Sequence, residues 1–107
     1  MEQRFKSFEQ FYPYYLSEHQ HKTCRLLHVI GTTIVLALTL TAIYWMRPSL
    51  LLYVPLAGYG FAWAGHYFFE KNKPATFKYP LWSLKADFKM YYDIISGKIG
   101  LDGSKDN

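Results

Sequence analysis

The sequence contains one cysteine, Cys24, so no internal disulfide can form. Disulfide-stapled modules and cysteine-built zinc or iron–sulfur sites are thereby excluded. Length is also short: 107 residues allow one domain, not a large cofactor fold beside a second one. There is no G-x-S-x-G elbow, P-loop, Rossmann fingerprint or H-E-x-x-H helix, which closes the common routes to hydrolase, nucleotide and zincin chemistry. The most informative absence is charge. Between Val29 and Phe69 the sole formally charged residue is Arg47, although the chain has 12 Lys plus Arg and 8 Asp plus Glu. All the others lie in 1–28 or 70–107.

What fills the gap is hydrophobic: 50% of the residues are hydrophobic and 20% aromatic, which rules out a disordered or low-complexity chain. The uncharged region divides at Arg47-Pro48 into VIGTTIVLALTLTAIYWM and SLLLYVPLAGYGFAWAGHYFF. Each run approaches the ~20 residues needed to cross ~30 Å of hydrocarbon. A soluble hairpin, apolar all round, would need a protein shell larger than the remaining residues supply. The fold expected is therefore all-α: a membrane helical hairpin of two transmembrane helices, with spans at about 26–46 and 49–69. Amphipathic helices should flank it, within one membrane-embedded domain over 1–95. Residues 96–107 read as a polar, flexible tail.

Basic residues set the orientation. Arg4, Lys6, Lys22 and Arg25 precede the first span, and Lys71, Lys73, Lys78, Lys85 and Lys89 follow the second, whereas the turn holds only Arg47. This places both termini in the cytoplasm and the protein in the inner membrane, multi-pass. No signal peptide is visible, so the first span reads as an uncleaved anchor. Tyr44 and Trp45 should mark the far interface, and Trp63, Tyr67 and Trp82 the near one. A net charge of +4 divided between two flanks suits an anionic leaflet, not nucleic acid. Gly58, Ala62 and Gly65 form a small-residue stripe, with Gly31 able to play a similar part on the first span. The stripe allows close helix approach or a homo-oligomer. Pro55 should kink the second span near its start. Leu81, Leu84, Phe88, Tyr91 and Ile95 recur at helical spacing, with Lys85, Lys89 and Asp93 off that stripe. Phe5, Phe8, Tyr12 and Leu16 do the same in the N-terminal segment, and Tyr12, Tyr14 and Tyr15 read as interfacial packing.

The histidines converge by topology. His19 and His21 precede the first span, His28 opens it and His66 lies near the end of the second, so in a hairpin His28 and His66 share one depth. Ionisable groups at such depth are costly and usually mark function. Glu70 follows His66 by one helical turn. Imidazoles with a nearby carboxylate suit iron or zinc. A straight helix over 19–28 would separate His19 from His28 by about 13.5 Å, too far for one ion. A shared site therefore requires a break around Gln20–Thr23, with Ser17 and Thr23 available as caps. Cys24, beside Arg25, lacks a third partner for nucleophilic chemistry and reads as a small buried side chain.

Phe11-Tyr12-Pro13-Tyr14-Tyr15, then HQHKTCRLLHVIG, then GYGFAWAGHYFFEKNKPATF, with PLWSLKADFKMYYDI after them, resemble a known family. It is the 2-hydroxy fatty acid dioxygenase family, known from fungal phytosphingosine degradation, and its short bacterial-type members are most similar. The likeness extends from about Phe8 to Tyr92. It implies an iron(II)-dependent membrane oxygenase that uses O2 to shorten a 2-hydroxy fatty acid by one carbon. The family's histidines map to His19, His28 and His66. The acidic member of its G-H-x-x-[FY]-E-x-x-x-P block maps to Glu70, and Pro74 closes the block. His21 lies in the first block and is a further candidate ligand. Zinc and manganese remain open beside iron. Thr23 and Cys24 stand where fungal members carry an Asn, a departure that bears on substrate. Lys71, Lys73 or Arg25 are candidates to hold the head group. The competing reading is a non-catalytic hairpin that binds lipid, metal or a protein partner.

Overall fold

The computed structural model describes residues 5–73 and 78–101. Among them there is no strand, and the all-helical expectation holds. Helix α1 (Phe8–Ser17) begins on extended Ser7, whose hydroxyl accepts the Gln10 N–H at 3.3 Å. Pro13 lies inside α1 and withholds one backbone donor. The chain breaks after Ser17 and restarts as α2 (Lys22–Tyr44), capped by His21 through an Nδ1 that accepts the Thr23 N–H at 3.1 Å. The interruption falls where a shared histidine site requires it. At its far end α2 stops on Met46, with φ of 52°, and the Arg47 N–H reaches back to the Ala42 carbonyl at 2.8 Å.

The second apolar run is helical in three windings. A 3₁₀ turn over Pro48–Tyr53 leads into α3 (Val54–Gly65), and α3 leads into a π turn over His66–Glu70. Pro55 sits in the first turn of α3, where its fixed φ is tolerated, so the winding changes at this point instead of kinking within a longer helix. Among the described residues α2 is the one helix long and apolar enough to cross a membrane. The two arms run antiparallel. A Cβ on Gly31 would lie 3.1 Å from the Ala57 carbonyl oxygen and from Phe61 Cβ. One on Gly58 would lie 3.4 Å from Val35, and one on Gly65 would lie 2.9 Å from Cys24 Sγ. The glycine stripe is thus covered by α2 of the same chain. A homo-oligomer is not what this stripe serves.

Helix α4 (Pro80–Ile95) folds back onto α1. Phe11, Tyr15, Leu16, Ala86, Met90 and Ile99 form the main core, which lies beside the hairpin, not within it. The face of α4 that packs inward is Ser83, Ala86, Met90 and Asp93. Leu81, Leu84, Phe88 and Ile95, the stripe expected to lie in the interface or to pack on the hairpin, are exposed, and Leu84 and Phe88 line a cavity with residues of α2 and α3. On α1 the buried residues are likewise Phe11, Tyr15 and Leu16, of which the sequence stripe named only Leu16. Trp82 packs on Phe11 and Tyr79, with ring centroids 5.6 and 6.1 Å away, inside the aromatic cluster. Gly97, at φ of 87°, turns the chain so that Ile99 enters the core. The remainder of the tail, 102–107, and Arg4 and Pro74, a basic flank residue and the proline closing the second histidine block, lie outside the described residues.

Candidate metal centre

Three histidines from three separate segments meet where the open ends of the hairpin join the α1–α2 turn. His19 comes from that turn, His28 from the second turn of α2, and His66 from the start of the π turn. All three are buried. Their ring centroids lie 4.6 Å (His19–His28), 4.3 Å (His19–His66) and 5.2 Å (His28–His66) apart, in edge-to-face arrangements. One ring nitrogen from each falls within 4.8 Å of the other two. Histidines 9 and 38 positions apart in sequence are thus brought to one point by the break after α1 and by the hairpin register.

The hydrogen bonds around the rings decide which nitrogens are free. His19 Nδ1 lies 2.6 Å from the Tyr15 carbonyl oxygen, and His28 Nδ1 lies 2.8 Å from the Cys24 carbonyl oxygen. His66 Nδ1 lies 2.7 Å from Asn72 Oδ1. A carbonyl oxygen accepts and cannot donate, so each Nδ1 carries the proton and each Nε2 presents a lone pair. Three rings with the same tautomer, each held by a second partner, match the outer-shell pattern that orients metal-bound imidazoles. The donor set fits a divalent transition metal.

Each ring is supported from below. His19 stacks on Tyr15 at 4.0 Å, and its backbone carbonyl accepts the Arg25 Nε–H. Arg25 is fully buried, and its other nitrogens donate to the carbonyls of Gly100 at 2.8 Å and Leu16 at 3.5 Å. Its guanidinium therefore fastens the C-terminal turn beneath His19, instead of reaching out for a head group. Lys71 and Lys73 are exposed. The His66 carbonyl accepts the N–H groups of Lys71 and Asn72, the latter at 3.0 Å, which swings Asn72 under the imidazole. The Asn72 amide nitrogen then donates to Glu18, at 3.2 Å to its carbonyl and 3.3 Å to Oε1. Burial, reinforced by the His28 and His66 rings, holds the His19 imidazole well below its usual pKa of 6.5.

Two sequence candidates stand outside the cluster. His21 is exposed, caps α2 and packs against Phe69 at 5.2 Å. Glu70 Oε2 accepts the His21 N–H at 2.5 Å, so it ties the end of the second arm to the start of the first. Sequence reasoning missed Tyr15, Asn72 and Asp87. The Tyr15 hydroxyl donates to Asp87 Oδ1, and burial pushes the Asp87 carboxyl up to about 7 while the Tyr15 bond opposes the shift. Burial, then the neighbouring Asp87, pushes the Tyr15 phenol well above 10. Asp87 and His28 both line a cavity of about 240 Å³ between α2, α3 and α4, walled by Val35, Gly58, Ala62, Leu84 and Phe88. A tyrosine within a helical turn of the first histidine was the one available signal. Asn72 and Asp87 depend on tertiary contacts that spacing does not show.

The protein-family model described as 2-hydroxy-palmitic acid dioxygenase Mpo1-like matches residues 5–99. No curated protein and no solved structure matches the chain.

Proposed function

The chain belongs to the 2-hydroxy-palmitic acid dioxygenase Mpo1-like family, and from that premise we propose that it is a membrane-bound, iron(II)-dependent oxygenase that shortens 2-hydroxy fatty acids by one carbon with O2. The observation that carries the reading is the buried triad of His19, His28 and His66, each with its Nδ1 committed to a carbonyl. An iron(II) ion held by three imidazoles keeps open positions and supplies the O2 chemistry of the reaction. The protein's own part is to fix the three neutral rings, exclude water from them and offer an apolar cavity at their side. His21 and Glu70 act in this reading as a clamp that joins the two arms, beside the triad and not among its ligands.

Two further observations support the membrane part of this reading. Only 17% of the most apolar window of α2 is buried inside the molecule, unlike the core helix of a soluble protein. Leu40, Ile43, Leu52, Leu56 and Phe68 along the two arms are exposed, as lipid-facing side chains would be. The second arm, residues 48–70, completes a two-span hairpin in this reading, with both termini on the cytoplasmic side of the inner membrane.

Replacing His66 by Ala tests the proposal. Protein purified in mild detergent should fall from about one metal ion per chain to under a tenth, and oxygen uptake with 2-hydroxypalmitate should cease. Extraction from membranes should be unchanged, since the substitution leaves both apolar arms intact. A variant that keeps its metal and its turnover overturns the assignment. Metal bound by the native protein without oxygen uptake favours a non-catalytic metal protein.

A further inference from the structure

The cavity beside the triad has one chemical asymmetry. Val35, Gly58, Ala62, Leu84 and Phe88 make it apolar, and its ionisable side chains apart from the Tyr59 phenol are His28 and Asp87. The antiparallel register puts His28 and Ala62 toward the triad, and Val35 and Gly58 farther down the hairpin. Such a space accepts a hydrocarbon chain along its length and a polar group at its triad end. Asp87 is costly to keep there. Among the described residues no cation pairs with it, and its one hydrogen bond comes from the Tyr15 hydroxyl. Above about pH 7, where its raised pKa leaves Asp87 ionised, the carboxylate only accepts hydrogen bonds. It would therefore repel the carboxylate of a fatty acid and welcome an alcohol.

We propose that Asp87, anchored by Tyr15, binds the 2-hydroxyl of the substrate and makes the cavity selective for hydroxylated over plain fatty acids. The inference rests on the family reading above and adds the residue that sets its substrate class. A 2-hydroxy acid has two polar groups on adjacent carbons. The alcohol donates to Asp87, the acid group is left to the imidazole side, and the alkyl chain follows the apolar walls. Tyr15 is a positioning residue. Its ring stacks on His19 and its hydroxyl holds Asp87, so one side chain fixes the spacing between the triad and the hydroxyl-binding carboxylate. A site built to hydrogen-bond a substrate hydroxyl discriminates strongly against the analogue that lacks it, because its polar group is then left unpaired.

The test is competition of 2-hydroxypalmitate and palmitate against a fluorescent fatty acid, on the full chain in detergent with its metal content measured in parallel. The native protein should prefer the hydroxy acid by about tenfold or more. Asp87→Leu should bring the two acids within about threefold, chiefly by binding palmitate better, while metal per chain is unchanged. Tyr15→Phe should fall between. If the native protein discriminates and Asp87→Leu, with its metal intact, discriminates equally, the inference fails and the family reading stands. If the native protein binds neither acid, the reading of the substrate class fails and takes the inference with it. Should Asp87→Leu lose its metal, Asp87→Asn replaces it. Asn can still accept from Tyr15 but has no charge, and a preference as strong as the native one overturns the inference.

Discussion

His19 and Asp87 sit two contacts apart, joined through Tyr15, yet burial moves them in opposite directions. It lowers the imidazole and raises the carboxyl to about 7, because in each case the charged form is disfavoured. The consequences for stability have opposite signs. His19 folds neutral, so its contribution is present above 6.5 and is lost as pH falls toward its depressed value, where only the unfolded chain takes up the proton. Asp87 binds a proton in the folded state at a pH where the unfolded chain, at 3.8, does not, so it favours the fold as pH drops from about 7 toward 4. Asp87→Asn removes the second effect and leaves the first. The metal-free variant should therefore lose stability on acidification more steeply than the native protein. The difference should grow by up to about 1.4 kcal/mol per pH unit between pH 7 and pH 4. Thermal melts at several pH values would check it, and parallel profiles would count against a buried, proton-holding Asp87.

The helices were legible in the sequence, but the faces they present were less so. Hydrophobic period and the charge-free stretch located both arms, and the distance argument over 19–28 required the break that the structure has at 18–21. On α4 the apolar stripe and the core-facing residues lie on different faces. Leu81, Leu84 and Phe88 are exposed while small Ala86 and Ser83 pack within, the division that suits a helix lying at an interface. The π turn and the swing of Asn72 beneath His66 depend on carbonyl bonding across a helix end, which residue spacing does not encode. The hairpin contact is where small residues matter most. Gly65→Ala puts a methyl 2.9 Å from Cys24 Sγ and 3.1 Å from its backbone, so the arms must separate next to His28 and His66. Gly60→Ala meets nothing within 4 Å and improves helix propensity by about 0.8–1 kcal/mol. The first should lower the melting temperature by several degrees and weaken metal retention, and the second should do neither. Equal behaviour of the two variants would mean that the close approach at Gly65 has no role in holding the rings.

At the scale of the whole molecule the protein is a rod, 45 × 28 × 27 Å, with its packed aromatic core and its histidines at one end and its turn at the other. A helix of α2's length covers about 34 Å, enough for a hydrocarbon layer of ~30 Å, so the turn and the core should emerge on opposite sides. Basic residues concentrate at the core end, which the proposed orientation puts in the cytoplasm, whereas the turn carries only Arg47. In that proposed orientation the triad would lie at the inner interface. Cysteine labelling can read the orientation with little background, because Cys24 is fully buried. Ser49 in the turn and Lys98 beyond α4 are both exposed. With a membrane-impermeant maleimide on intact cells, Ser49→Cys should label and Lys98→Cys should label only after permeabilisation. The same side for both would remove the two-span hairpin. The reverse pattern would keep the hairpin and move the triad to the outer face, where a cytoplasmic lipid pool could not supply it.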